Sequence, residues 1–227
     1  MAELIDKKDM LVRELMSMSN DEIFEKAEKR FREFSVLMAY YRCAMMEIET
    51  KFNVLNEAYT TENDRSPISS VKSRLKSPAS IAEKMRRQGK EVNPDTIWES
   101  LCDVAGIRVI CPFTDDVYAL AEALLKQDDI TLIEKKDYIE NPKPNGYRSL
   151  HLIVEIPIFL SHEKRMMKVE IQLRTLAMDF WASLEHQMIY KKNVVFTDKM
   201  SEELLCCAET CAVLDKRMNS LWNESKK

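Results

Sequence analysis

Glycine is scarce in this 227-residue chain: three occur, Gly89, Gly106 and Gly146. That excludes both the GxxxxGK[ST] phosphate loop and the GxGxxG dinucleotide turn, which need glycines in series so that backbone can approach phosphate. Any nucleotide must be held by side chains. The six cysteines (Cys43, Cys102, Cys111, Cys206, Cys207, Cys211) lack CxxC spacing. Most fall at apolar positions of helical or strand patterns, so they read as reduced core thiols rather than metal ligands. No apolar run is long enough to span a bilayer, and the opening MAELIDKKDM lacks a signal peptide's apolar stretch, so the expected location is the cytoplasm. Charge excess is lacking too. At net −4 there is no global field to draw nucleic acid or an anionic membrane, and an anionic substrate must meet a local basic patch. Internal repeats and low-complexity tracts are absent. At 45% hydrophobic and 32% charged residues, the length suits one core-forming domain with helical extensions.

The most informative stretch runs from 141 to 175, NPKPNGYRSLHLIVEIPIFLSHEKRMMKVEIQLRT. A Pro/Asn/Gly turn presenting Lys143, Asn145, Tyr147 and Arg148 leads into a segment with Leu150, Leu152, Val154 and Ile156 on one face. Ser149, His151, Ile153 and Glu155 lie opposite. A second segment sets Met167, Val169, Ile171 and Leu173 against Lys168, Glu170, Gln172 and Arg174. Period-two alternation predicts two half-buried strands. Their polar faces are either a solvated sheet surface or a site beside a presented tyrosine, and periodicity does not name the chemistry.

Elsewhere the pattern is mostly helical. Between Asp21 and Tyr59, apolar residues from Ala27 and Phe31 through Tyr41, Ile48 and Phe52 step by three and four, predicting a long amphipathic helix opened by Asn20 or Asp21. Residues 1–19 offer a further short helix. Thr60 to Pro67 reads as a polar linker, followed by the most basic segment, VKSRLKSPASIAEKMRRQGK. There Ser77 caps a helix with Pro78 at its first position and Gly89 as its stop. Ser80, Lys84 and Arg87 share one face, just after Arg74 and Lys76. A helix N-terminus among basic side chains suits a polyphosphate, although such a run taken alone is more often a solvated face. A short helix from Asn93 to Ser100 precedes the strand DVAGIRVICPF. Thr114 and Asp115 then cap a helix to about Gln127, and a strand runs from Ile130 to about Lys136. After Thr175 comes a helix with Phe180 and Trp181 as core. The last helix, Lys199 to about Glu224, carries Met200, Leu204, Cys207, Cys211, Leu214, Met218 and Leu221 at heptad-like spacing. The alternation of strands and helices predicts an α/β fold: a mixed central sheet flanked by helices, with long N- and C-terminal helices. The expected division is 1–65 helical, 66–192 core and 193–227 C-terminal helix.

KPNGYRSLH followed by VEIQLRT, with the basic segment and DVAGIRV upstream, resembles the synthetase domain of the RelA/SpoT family, and the length resembles its stand-alone small alarmone synthetases. The likeness runs from about Ser66 to Lys191. It implies a nucleotidyltransferase-type sheet and transfer of pyrophosphate from ATP to the ribose 3′-OH of GDP or GTP, releasing AMP. By the same resemblance, Arg74, Lys76, Ser80, Lys84, Arg87 and Arg108 would contact ATP. Asp103 and Glu170 would hold Mg²⁺, with Glu170 orienting or deprotonating the 3′-OH. Tyr147 would stack on the acceptor guanine, and Lys143, Asn145 and His151 would hold its phosphates or ribose, supported by Gln172 and Arg174.

The long members' hydrolase domain uses a His-Asp pair, but His151, His162 and His186 are followed by Leu, Glu and Gln, so synthesis without hydrolysis is expected. Some relatives instead modify the tRNA 3′ end. Lys191 and Lys192 give little basic surface for that, because the charges mix thereafter. A silent binding module would not need Arg74, Asp103, Tyr147 and Glu170 together. The two heptad-like helices suit subunit assembly and packing within the chain about equally; a homo-oligomer is expected, a tetramer if it follows compact relatives. In some of those, alarmone bound between subunits activates through basic residues. The corresponding stretch here, Glu49 to Asn56, offers Lys51 alone, and Asp179 stands where those relatives carry an amide, so little product activation is expected.

Overall fold

The computed structural model describes residues 20–189 and 197–225. The helix expected within 1–19 and the lysines at 191 and 192 lie outside the described residues. The elements in order are α1 (Asn20–Asn63), β1 (Ser70–Leu75), α2 (Pro78–Arg87), α3 (Pro94–Ser100), β2 (Ala105–Cys111), α4 (Thr114–Leu125), β3 (Thr131–Asp137), β4 (Leu150–Phe159), β5 (Lys164–Thr175), α5 (Leu176–Ile189) and α6 (Asp198–Ser225). The strands form one mixed sheet in the order β1-β2-β5-β4-β3. Only β2 and β5 run parallel.

The expected apolar faces of β4 and β5 are in the core, whereas Phe31 of α1 and Leu214, Met218 and Leu221 of α6 are exposed. Leu150, Leu152, Val154, Ile156, Met167, Val169, Ile171 and Leu173 are each fully buried, together with Ile107 and Val109 of β2. Tyr41, Ala44, Ile48 and Phe52 of α1 and Val117, Leu120 and Leu124 of α4 join the same cluster. Two helices thus cover one sheet face, and the opposite face is left for polar side chains.

Local chemistry explains the boundaries. The Ser77 hydroxyl accepts from the Ser80 N–H, and Pro78 occupies the first helical turn of α2. The Asn93 side chain caps α3 in the same way. Gly89 ends α2 at φ +67°, a left-handed conformation that glycine adopts without a Cβ penalty.

Several expectations need correction. Helix α1 continues through Thr60 and Thr61, whose hydroxyls bond back to the Asn56 and Glu57 carbonyls, so the linker is shorter than its polar letters imply. Strand β1 went unforeseen, because its only apolar side chains are Val71 and Leu75 and it sits at the sheet edge. Phe113, not Thr114 or Asp115, is the cap residue of α4, without a side-chain bond; the Asp115 carboxylate instead accepts from Asn223 of α6. Trp181 is buried as expected, but Phe180 is 62% exposed, because one helical step turns it about 100° away from that packed face. Of the six cysteines only Cys111 is buried, while Cys206 and Cys207 are exposed on α6.

Candidate active site

Strand register places the functional side chains. Across the sheet, Lys72, Arg108, Gln172, His151 and Lys136 fall in one row, and Arg74, Gly106, Glu170, Ile153 and Glu134 in the next. Alternation puts both rows on the face opposite the core. Above them lies a cleft of about 670 Å³, lined by Lys72, Arg74, Lys76, Asp103, Arg108 and Tyr147 together with Glu170, Gln172 and Arg174. Ser183, Glu185 and Gln187 of α5 supply a wall. A smaller cavity of about 180 Å³, lined by Lys136, Tyr138, Lys143, His151 and Glu170, adjoins it. Glu170 borders both spaces, so the carboxylate stands at their junction.

Two networks fix the carboxylates. Asp103 Oδ2 accepts from Lys76 Nζ at 2.6 Å and from Lys84 Nζ at 2.7 Å. Burial by itself pushes the Asp103 carboxyl up, but the two lysines outweigh it and hold it below its ordinary value. Glu170 Oε1 lies 3.5 Å from His151 Nδ1, and Oε2 accepts from Gln172 Nε2 at 3.2 Å. Burial pushes Glu170 up as well, and His151 followed by Gln172 brings it below the ordinary range. Both groups are therefore charged at neutral pH.

The residues expected on the acceptor side form a chain of polar contacts. Arg174 Nη2 donates to the Tyr147 hydroxyl at 2.6 Å and to Gln172 Oε1 at 2.8 Å. The Tyr147 hydroxyl is 2.8 Å from His151 Nε2. One histidine tautomer satisfies every contact: Tyr147 donates to Nε2, and Nδ1–H faces Glu170. Lys143 Nζ and the Arg174 guanidinium lie 5.0 Å and 5.1 Å from the Tyr147 ring centre, so the ring already carries cations at stacking distance. The turn beneath is self-supporting. Asn145 Oδ1 accepts from the Tyr147 N–H while its amide donates to Glu185, and Arg148 reaches the Ile139 carbonyl.

Of the residues expected at the site, Arg74, Lys76, Asp103, Arg108, Tyr147, Glu170, Gln172 and Arg174 line the larger cleft, and Lys143 and His151 the smaller one. Asn145 supports the turn, and Lys84 reaches the site through Asp103. Ser80 and Arg87 do not line the cleft. Ser80 is occupied at the helix start by Ser77, and Arg87 is exposed in the last turn, a full helix length from the basic start. Contributors were missed as well, Lys72 and Asp179 among them. Lys72 precedes Arg74 by two residues on the unforeseen β1, so only a strand assignment there reveals it. Asp179, read as an effector-side carboxylate, instead bonds Arg108 and Arg174, contacts that span 71 residues in the first case and carry no local signal.

Residues 73–194 match the family model described as the region found in RelA / SpoT proteins. The chain is 42% identical over 184 residues to the GTP pyrophosphokinase YwaC of Bacillus subtilis, covering 81% of this chain and 88% of that one. It superposes with a TM-score of 0.78 on small alarmone synthetase 1 of the same bacterium bound to its product pppGpp, at 35% identity over 86% of this chain and all of the other. For small alarmone synthetase 2 the TM-score is 0.77, at 40% identity over 85% of this chain and 99% of that one. Sheet, cleft and sequence thus agree along most of the chain's length, and the protein belongs to the RelA/SpoT family, among its small alarmone synthetases.

Proposed function

We propose that the cleft is the active centre of a GTP pyrophosphokinase in which Glu170 is the base and the β1–α2–β2 cations clamp the donor. The protein transfers the β,γ-pyrophosphate of ATP to the 3′-hydroxyl of GDP or GTP, giving ppGpp or pppGpp and AMP. The 3′-oxygen forms a bond to the β-phosphorus, the bond from that phosphorus to the α–β bridging oxygen breaks, and the hydroxyl proton passes to Glu170. The observation that carries this reading is the placement of a charged carboxylate, Glu170, at the junction of a polyphosphate-sized basic cleft that Tyr147 also lines and the cavity beside Lys143 and His151. Arg74, Lys76 and Arg108 would hold the donor phosphates, the transfer depending chiefly on alignment and charge stabilisation. Tyr147 would stack on the guanine, with Lys143 and His151 at its phosphates or ribose and Gln172 and Arg174 fixing the ring.

Asp103 and Glu170 would hold Mg²⁺. Asp103 Oδ1 is buried without a hydrogen-bond partner among the described residues, as suits a carboxylate oxygen reserved for a cation, and oxygen donors match that ion. When bound, Mg²⁺ neutralises charge on the donor phosphates. We place the reaction in the cytoplasm, in a homo-oligomer built on a synthetase core of residues 66–192.

The test is incubation with ATP, Mg²⁺ and GDP, GTP or tRNA, with products resolved by chromatography. Expected are AMP and ppGpp or pppGpp in equal amounts, stable on prolonged incubation. Label transferred to tRNA alone, or no product from any acceptor, overturns the reading.

A further inference from the structure

Asp179 stands in the first turn of α5, largely buried, as the shared partner of cations from three strands. Its Oδ1 accepts from Arg108 Nη1 at 3.3 Å and Arg174 Nη1 at 3.2 Å, and its Oδ2 lies 3.6 Å from Lys72 Nζ. These are long for charge-assisted bonds, which settle near 2.7–2.9 Å, and long beside the 2.6 Å and 2.7 Å contacts of Asp103. One carboxylate thus faces three cations, a surplus of positive charge, and holds none of them at the length of a tight ion pair. The Nε atoms of Arg108 and Arg174 confirm the surplus: both are buried without a hydrogen-bond partner among the described residues. The guanidiniums also repel each other; burial, then the charge of Arg174, lowers the Arg108 pKa. Lys72, Arg108 and Arg174 all line the cleft. The cluster therefore has donor capacity and positive charge beyond what its resident anion supplies.

We propose that Asp179 is a resident counter-anion: it holds Lys72, Arg108 and Arg174 together before a nucleotide arrives and yields them to the incoming phosphates, thereby setting nucleotide affinity. This deepens the functional reading of the cleft and rests on it. A polyphosphate brings more charge and more acceptor oxygens than a carboxylate, so it wins the exchange. Its repulsion by Asp179 keeps the complex from becoming so tight that product is retained.

The test compares the parent protein with Asp179→Asn, which keeps the shape and removes the charge, using inorganic pyrophosphate as the probe. Without anion the variant melts at a lower temperature, because three cations lose their common partner. Pyrophosphate restores it, giving a larger stabilisation than in the parent, about fivefold tighter binding by titration calorimetry, a steeper loss of affinity with salt and a lower KM for ATP. Asp179→Ala moves pyrophosphate affinity in the same direction. Equal affinity in parent and variants overturns the proposal. So does weaker binding, which would make Asp179 an orienting residue for the arginines. Product formation from ATP and GDP is followed in the same preparations. Its absence from the parent refutes the synthetase reading, whereas product with equal pyrophosphate affinities refutes the counter-anion alone.

Discussion

At the scale of single residues, the site depends on carboxylates kept charged by their neighbours and an aromatic ring kept in place by its hydroxyl. Glu170 sits where the row Arg74–Gly106–Glu170 meets the His151 side of the sheet, so one oxygen faces the histidine and the other Gln172. Glu170→Gln keeps the volume and removes the charge. Turnover should fall by about 10²–10⁴-fold, while calorimetric binding of ATP and GDP persists; near-normal turnover would remove Glu170 from the mechanism. Tyr147 can be divided in the same way. Its hydroxyl belongs to the Arg174–His151 chain, and its ring is the only part that can meet a purine face. Tyr147→Ala should raise the KM for GDP or GTP far more than that for ATP, by the roughly 1–3 kcal/mol that base stacking contributes. Equal losses for both nucleotides would assign the ring to the fold.

At the scale of elements, β4 and β5 were legible because each carries an unbroken apolar face, and the caps of α2 and α3 because Ser-Pro and Asn-Pro act locally. Strand β1 was not, having two apolar residues and an exposed edge. The pairing of Asp103 with Lys76 and Lys84, and of Asp179 with three cations, was hidden because each contact joins separate elements. Residue letters pointed to Arg74, Glu170 and Tyr147 through the family resemblance, whereas Lys72 appears only once the strand register is known. The same distinction applies to the glycines. Gly89 ends α2 at φ +67° with nothing within 4 Å of an added Cβ, but at Gly146, φ +88°, a Cβ would lie 2.5 Å from the Ala208 side chain of α6. Helix α6 therefore braces the turn that carries Tyr147, aided by the bond from Trp181 to the Leu204 carbonyl. Gly89→Ala should cost about 1 kcal/mol in urea unfolding. Gly146→Ala adds overpacking of about 1–3 kcal/mol and should also raise the KM for the acceptor. Equal costs at the two positions would mean that α6 is not packed against the turn.

At the scale of the whole molecule, the apolar stripes of α1 and α6 outrun the core that one chain provides. Phe24 and Phe31 are 77% and 73% exposed, and Leu214, Met218 and Leu221 are about half exposed, while the second half of α1 is buried against the sheet. Helix surface of this kind suits a second copy. Light scattering should give a mass that is a multiple of 26.5 kDa at micromolar concentration; a monomer mass would defeat this. Assembly need not bring product activation, and the surface around Glu49 to Asn56 argues that it does not. The one cation there, Lys51, donates to Gln127 and Asp129 at 2.7 Å each and is only 17% exposed. The hollow on this stretch is lined by Glu49, Asn53, Asn56, Ile68, Ser70 and Val71, a carboxylate and two amides with no positive charge, and Lys51 lies about 200° around the helix from Glu49 and Asn53. A polyphosphate placed there would face Glu49 and would have to draw Lys51 away from Asp129, exchanging a satisfied partly buried ion pair for a contact beside a like charge. The nearby strand carries Lys72, but that side chain lines the large cleft and not this hollow. Initial rates measured with and without added pppGpp at several ATP concentrations should therefore coincide, apart from competition at the active site. Stimulation that survives in a Glu49→Gln, Lys51→Ala double variant would place an effector site elsewhere in the assembly, and stimulation abolished by it would show that Lys51 leaves Asp129 when the effector binds.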